Sequence, residues 1–171
     1  MLKVLLVDDE NTVLKGLEYI LSKYCPQHEI AGAVQNAAEA LQLLEKTKVH
    51  VVITDVKMPE MNGVELTSKI RSLYPDTSVV VLSGYSDFEY VRQSMKNGAY
   101  DYLLKPCNYQ TVLDVLNKIE ETISQKNAEV RKNAVKKYLE AALLGKAELP
   151  QEWSVYPEMQ MMVVSIIGST D

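Results

Sequence analysis

The chain is poor in the residues from which several classes of function are built. Only Cys25 and Cys107 among its 171 residues are cysteines, and their spacing fits neither a metal-ligand motif nor a redox pair. Both are expected as free thiols in a cytoplasmic protein. No apolar run approaches the roughly 20 residues of a membrane span, and because Met1 leads directly into a strand followed by acids, no signal peptide is expected. Basic residues are outnumbered: 18 Lys and Arg stand against 23 Asp and Glu, for a net charge of −5. That balance excludes nucleic-acid binding through overall charge, which needs a basic surface. The two histidines, His28 and His50, fall far from the acidic positions described below, so general-base roles are not expected of them.

What is present is ordinary in amount and regular in pattern. A hydrophobic content of 47% and a charged content of 24% describe a soluble globular protein. The length allows one domain with a sizeable core and part of a second. The stretch HVVITDVKMPEMNG (50–63) sets four β-formers against a carboxylate, Asp55, before Met58-Pro59 forbids further strand. A continuous apolar run of this kind predicts a buried parallel strand with Asp55 at its carboxyl end, the end at which open α/β sheets bind ligands.

Similar runs recur. Residues 2–7 (LKVLLV) end in Asp8-Asp9-Glu10, residues 29–34 form a shorter and less apolar edge strand, residues 78–82 stop at Ser83-Gly84, and residues 99–104 stop at Lys105-Pro106. Between them lie helix-period segments. Val13, Leu14, Leu17, Ile20, Leu21 and Tyr24 make one stripe, Asn36 caps the next helix, and Ser86-x-x-Glu89 has capping-box form. Gly98 is placed as a left-handed helix terminus. Five strand–helix alternations predict a flavodoxin-like, doubly wound α/β fold with a five-stranded parallel sheet of order 2-1-3-4-5. In that order strands one and three are neighbours, so Asp8, Asp9 and Asp55 converge, with Ser83 and Lys105 on the same rim.

Crowded carboxylates repel one another, and a hard divalent cation removes the conflict. Oxygen ligands alone point to Mg²⁺, which is held by one or two carboxylates together with substrate phosphate. A carboxylate beside such an ion can be a nucleophile toward phosphorus, with Lys105 neutralising charge on the transferring group and the Ser83 hydroxyl bonding a phosphoryl oxygen. Met58 and Met61 are read as loop packing, since thioethers are soft ligands. Cys107, though close to Lys105, is read as an idle thiol.

The segments VDDE (7–10), TDVKMPEMNG (54–63), LSGY (82–85) and DYLLKP (101–106) resemble the response-regulator receiver domains of two-component signalling. The resemblance covers residues 1–124 without a gap. It implies that Asp55 is the phosphoacceptor for a sensor histidine kinase, in a domain whose only chemistry is self-catalysed phosphotransfer and dephosphorylation. It further implies that Asp9 and Asp55 ligate Mg²⁺ directly, Asp8 through water, and Lys57 through its backbone carbonyl. Lys105 would contact the phosphoryl group and precede a cis proline, and Ser83 and Tyr102 would move together on activation. The run from Ser83 to Pro106 resembles the subgroup with a distant AraC-type helix-turn-helix domain, so DNA would be met only through a domain outside this chain.

Two other classes compete. A phosphatase of the haloacid-dehalogenase type also uses a strand-end aspartate with Mg²⁺, but it resembles its relatives in carrying a second Asp two residues on, where Lys57 stands. A flavodoxin-like cofactor binder needs a phosphate loop after the first strand, where this chain has acids.

No Pro or Gly occurs between positions 108 and 145, which allows a helix of about 55 Å at about 1.5 Å per residue. Val112, Leu116, Ile119 and Ile123 suit a receiver core, while Val130, Ala134 and Tyr138 suggest a helical linker, 125–146, which either pairs as a coiled coil with another copy or stands as a lone solvated or bent helix. A homodimer is expected through that linker or through the face formed by the fourth helix, fifth strand and fifth helix. Residues 160–167 (QMMVVSII) read as a strand without a partner, so 147–171 is expected to be the start of a second domain of a longer protein.

Overall fold

Three strands of this protein are apolar on both faces, and that property decides the architecture. In the computed structural model, which describes residues 1–84 and 87–143, the elements alternate as β1 (Lys3–Val7), α1 (Asn11–Tyr24), β2 (Glu29–Val34), α2 (Ala37–Lys46), β3 (Val51–Asp55), α3 (Gly63–Leu73), β4 (Ser78–Ser83), α4 (Phe88–Lys96), β5 (Asp101–Leu104) and α5 (Tyr109–Leu143). The sheet is parallel with order β2-β1-β3-β4-β5. β1, β3 and β4 are central and almost wholly buried, whereas β2 is a half-exposed edge, as its weaker apolar character predicts.

Side chains alternate across the sheet with period two. Leu5, Val7, Val52, Val79 and Val81 join Ala37, Ala40 and Leu44 of α2 and Leu66 and Ile70 of α3 in one core layer. Alternation leaves Val4, Leu6, Ile53, Val80 and Leu82 for the other face, where Leu14, Leu17 and Leu21 of α1 and Val112, Leu116 and Ile119 of α5 are the buried helical residues. Met58 is buried and Met61 packs against the first layer, which is where loop-packing methionines belong.

Short polar side chains set the helix starts. The Asn36 side chain accepts from the Glu39 N–H, Asn62 and Glu65 form a reciprocal capping box, and the Asn108 side chain accepts from the Thr111 N–H. The fourth helix departs from expectation: Asp87, not Ser86, occupies its cap position, and Ser86 lies outside the described residues. The Asp87 carboxylate makes no cap hydrogen bond; it accepts the Gly84 N–H instead. The Gly98 φ of 90° confirms a left-handed helix terminus.

The chain divides into two units, Met1–Glu120 and Glu121–Asp171, with the boundary inside α5. α5 runs unbroken through Lys126-Asn127. In the second unit Val130 and Ala134 are exposed and Val135 is buried within the single chain, which does not bear on pairing with another copy. The Tyr138 side chain and the strand expected at 160–167 lie outside what is described. No helix among the described residues is long and apolar enough to cross a membrane.

Both histidines sit at the amino-terminal edge of the sheet, opposite the rim where strands end. His28 Nδ1 accepts the Leu2 N–H at 3.2 Å and His50 Nδ1 accepts the Lys3 N–H at 2.9 Å. Burial is the main cause holding both imidazoles below the ordinary value of about 6.5. Their contribution to stability is therefore complete above that value and is lost as pH falls through it toward the folded-state value. Urea denaturation is expected to show stability falling between pH 7.5 and 5.5, and falling less in a His28→Asn/His50→Asn variant. Equal slopes would remove the histidines from the account.

Candidate functional site

The register of the sheet, more than any single loop, assembles the site. Val7 pairs with Thr54, so the residues that follow, Asp8 and Asp55, leave neighbouring strands side by side. Ser83 pairs with Leu104, which brings Lys105 to the same rim. Backbone bonds continue the pattern past the strand ends: Asp8 N–H to Val34 O, Val56 N–H to Leu82 O and Lys105 N–H to Ser83 O. The Lys105-Pro106 peptide is cis.

The side chains meet as this register requires. Carboxylate oxygens of Asp8, Asp9 and Asp55 lie within 4.8 Å of one another. Asp8 is fully buried, Asp55 nearly so, and Asp9 is exposed. Lys105 Nζ donates to Asp8 Oδ2 at 2.7 Å and lies 2.8 Å from Asp55 Oδ1. The other oxygen of Asp8 accepts the Glu10 N–H at 2.9 Å, so both of its oxygens are engaged within the protein. Asp55 Oδ2 accepts a longer bond of 3.3 Å from the Lys57 N–H.

Charge explains the titration of the pair. Burial pushes the Asp55 carboxyl above its usual range, and the hydrogen bond from Lys105 opposes that push without cancelling it. Burial also works to lower the Lys105 pKa, but its hydrogen bonds to Asp55 and Asp8 outweigh burial and leave it raised. Both shifts are upward: burial disfavours the charge on Asp55, while two carboxylates around one ammonium favour the charge on Lys105. With Asp9 included, three carboxylates against one ammonium leave two net negative charges, all on oxygen, and a hard divalent cation fits that donor set.

Ser83 completes the arrangement. Its hydroxyl oxygen is buried and has no hydrogen-bond partner among the described residues, an orphan of the kind that marks a place for a ligand oxygen. Tyr102 is 45% exposed and, with Ser83, lines a groove of about 670 Å³ whose apolar lining includes Phe88, Val91, Met95 and Leu104. Burial raises the Cys107 thiol and outweighs the opposing pull of Lys105, in keeping with an idle cysteine.

Two contributions went unread in the sequence: the steric role of Gly63, which closes the 54–63 motif, and Asp87, which lies outside the receiver motifs. A Cβ on Gly63 would lie 2.2 Å from the Asp55 backbone oxygen, so α3 can begin this close to β3 only with glycine there. Asp87 Oδ1 lies 2.5 Å from Lys57 Nζ. The capping-box pattern directed attention to Ser86, one residue before it.

Residues 4–117 match the profile of the response regulator receiver domain. The chain belongs to the receiver family. Among curated relatives it is 36% identical over 162 residues to the transcriptional regulatory protein YesN of Bacillus subtilis, covering 87% of this chain and 44% of that protein. It is 33% identical over 129 residues to the transcriptional regulatory protein HptR of Staphylococcus aureus, covering 75% and 50%. The chain thus spans about half the length of the curated relatives it matches. Among solved structures, the receiver domain of the response regulator AraT from Geobacillus stearothermophilus aligns with a TM-score of 0.68 at 30% identity, covering 74% of this chain and 98% of that one. A receiver domain from Clostridium thermocellum aligns with a TM-score of 0.67 at 28% identity, covering 73% and 98%. These receivers share the five-stranded parallel fold, and their family consists mostly of phosphoacceptors that are not enzymes.

Lys105 is the counter-charge on which the buried acids depend, being only 22% exposed beside Asp8 at 0%. Lys105→Met is expected to cost on the order of 3 kcal/mol in metal-free buffer, because it strands two buried carboxylates together. An unchanged urea midpoint would show that the ammonium contributes nothing.

Proposed function

We propose that this chain is the phosphoacceptor portion of a two-component response regulator and that Asp55 takes a phosphoryl group from the phosphohistidine of a sensor histidine kinase. The observation that carries this is the convergence of Asp8, Asp9 and Asp55 around Lys105 Nζ, beside the unpartnered hydroxyl of Ser83. A phosphatase with Asp55 as nucleophile lacks its acid, since Lys57 stands two residues on and its ammonium is paired with Asp87.

In the reaction an Asp55 carboxylate oxygen attacks phosphorus and forms the acyl phosphate. The P–N bond to the kinase histidine breaks, and the imidazole leaves with the electron pair and takes up a proton. Asp9, Asp55 and the Lys57 carbonyl would hold Mg²⁺, with Asp8 reaching it through water, and the bound ion would supply charge neutralisation for the phosphoryl oxygens. Lys105 neutralises a further oxygen, and its bond to Asp8 keeps it aimed at the acceptor. Ser83 donates its hydroxyl proton in a hydrogen bond to another oxygen, which satisfies the orphan described above.

Movement of Ser83 toward the phosphoryl group alters the groove it shares with Tyr102, and so the face made by α4, β5 and the start of α5. That face exposes Phe88, Met95, Tyr102, Leu104 and Tyr109. The signal passes to homodimerisation there or through α5, and then to a transcriptional output; DNA is contacted only by an AraC-type domain outside this chain. The protein works in the cytoplasm.

Acetyl phosphate with Mg²⁺ is expected to add one phosphoryl group to the wild type, seen by intact mass as an acid-stable, base-labile species, and none to Asp55→Asn. Absence on the wild type, or equal labelling of the variant, would sink the switch. Separately, titrating MgCl₂ should raise the melting temperature of the wild type by ligand linkage and leave Asp9→Asn unmoved; a matching rise in both would remove Asp9 from the metal site.

A further inference from the structure

Lys57 and Asp87 form an ion pair beside the acceptor that the chemistry above does not use. Lys57 Nζ lies 2.5 Å from Asp87 Oδ1 and 5.7 Å from the centre of the Tyr90 ring. The two partners differ in kind. The Lys57 side chain is 55% exposed, whereas that of Asp87 is 8% exposed and its second oxygen accepts the Gly84 N–H at 2.8 Å. A carboxylate so fixed is a preorganised partner, and the lysine is the member free to leave.

The backbone of Lys57 already touches the acceptor, through its N–H bond to Asp55 Oδ2 at 3.3 Å. Its side chain is therefore rooted within reach of whatever Asp55 carries. A phosphoryl group on Asp55 brings about −1.5 to −2 charges and three strong acceptor oxygens, against the single charge of Asp87.

We propose that the Lys57 ammonium is a second cation for the phosphoryl group on Asp55, and that Asp87 is the positioning residue that withholds it in the unphosphorylated protein. The inference rests on Asp55 being the phosphoacceptor and adds to that site a residue pair outside the carboxylates, Ser83 and Lys105. In the transfer, Lys57 gives up its contact with Asp87 and gains one to a phosphoryl oxygen; no proton changes hands. Asp87 keeps its bond to Gly84, the residue after Ser83, so the same carboxylate is tied to both cation and hydroxyl sides of the site.

The test is the time course of labelling by acetyl phosphate and Mg²⁺, read by intact mass, for the wild type, Asp87→Asn, Lys57→Gln, the double variant and Lys57→Arg. Asparagine keeps an oxygen for the Gly84 N–H, and Lys57 is exposed enough that its replacements are expected to fold. Asp87→Asn should label roughly two- to five-fold faster than wild type, the span of an exposed ion pair, and Lys57→Gln slower by a similar factor. The double variant should match Lys57→Gln, because freeing a lysine that is absent changes nothing. Lys57→Arg should label near the wild-type rate, and the differences should shrink in about 1 M salt. Equal acceleration by Asp87→Asn in the Lys57→Gln background would overturn the proposal, as would wild-type rates in both single variants. A wild type that takes no label on Asp55 would overturn the phosphoacceptor assignment and this inference together.

Discussion

Two buried carboxylates held against one ammonium are the constraint around which this structure is arranged. Asp8 and Asp55 leave adjacent parallel strands at the same level, and side chains this close and this dry would repel without Lys105 between them. The lysine in turn must arrive from β5, two strands away from β3, and it does so because the β4–β5 register sets Leu104 opposite Ser83. The core serves this geometry. Its valine- and leucine-rich central strands are covered on both faces, which leaves the carboxyl ends as the place where polar groups can gather.

The compensation at that rim is incomplete, and the incompleteness is where function enters. One ammonium cannot neutralise three acids, and one buried hydroxyl, Ser83, lacks a partner among the described residues. A divalent cation and a phosphoryl group would supply the missing charge and the missing acceptor together. The exposed apolar residues of α4 and β5 lie just beyond Ser83, so a change at the acceptor has a short physical route to a surface suited to contact with another chain.

Much of this was legible in the order of residues. Apolar runs ending in Asp8, Asp55, Ser83 and Lys105 announce parallel strands whose ends share a rim, and asparagines at 36, 62 and 108 announce helix starts. The parts that were not legible depend on contacts across the chain. Periodicity along a helix does not say which face meets a neighbour: Val130 and Ala134 keep the spacing of a stripe open to another copy, while Val135 is buried within the single chain. Ser86 has the form of a cap, yet the helix begins after Asp87, whose carboxylate is taken up by Gly84 and Lys57.

The sequence by itself determined the strand count, the order of elements and the chemical types at each strand end, since periodicity and breaker residues are local properties of the chain. It also carried family membership, through motifs whose spacing survives without knowledge of distance. Only the tertiary structure decided that Lys105 binds Asp8 and Asp55 at once, that Gly63 must lack a side chain beside the Asp55 carbonyl, and that Lys57 is held by Asp87. Those are facts about residues tens of positions apart or packed backbone to backbone, and the hydrogen bonds and charges that create them exist only once the sheet has set its register.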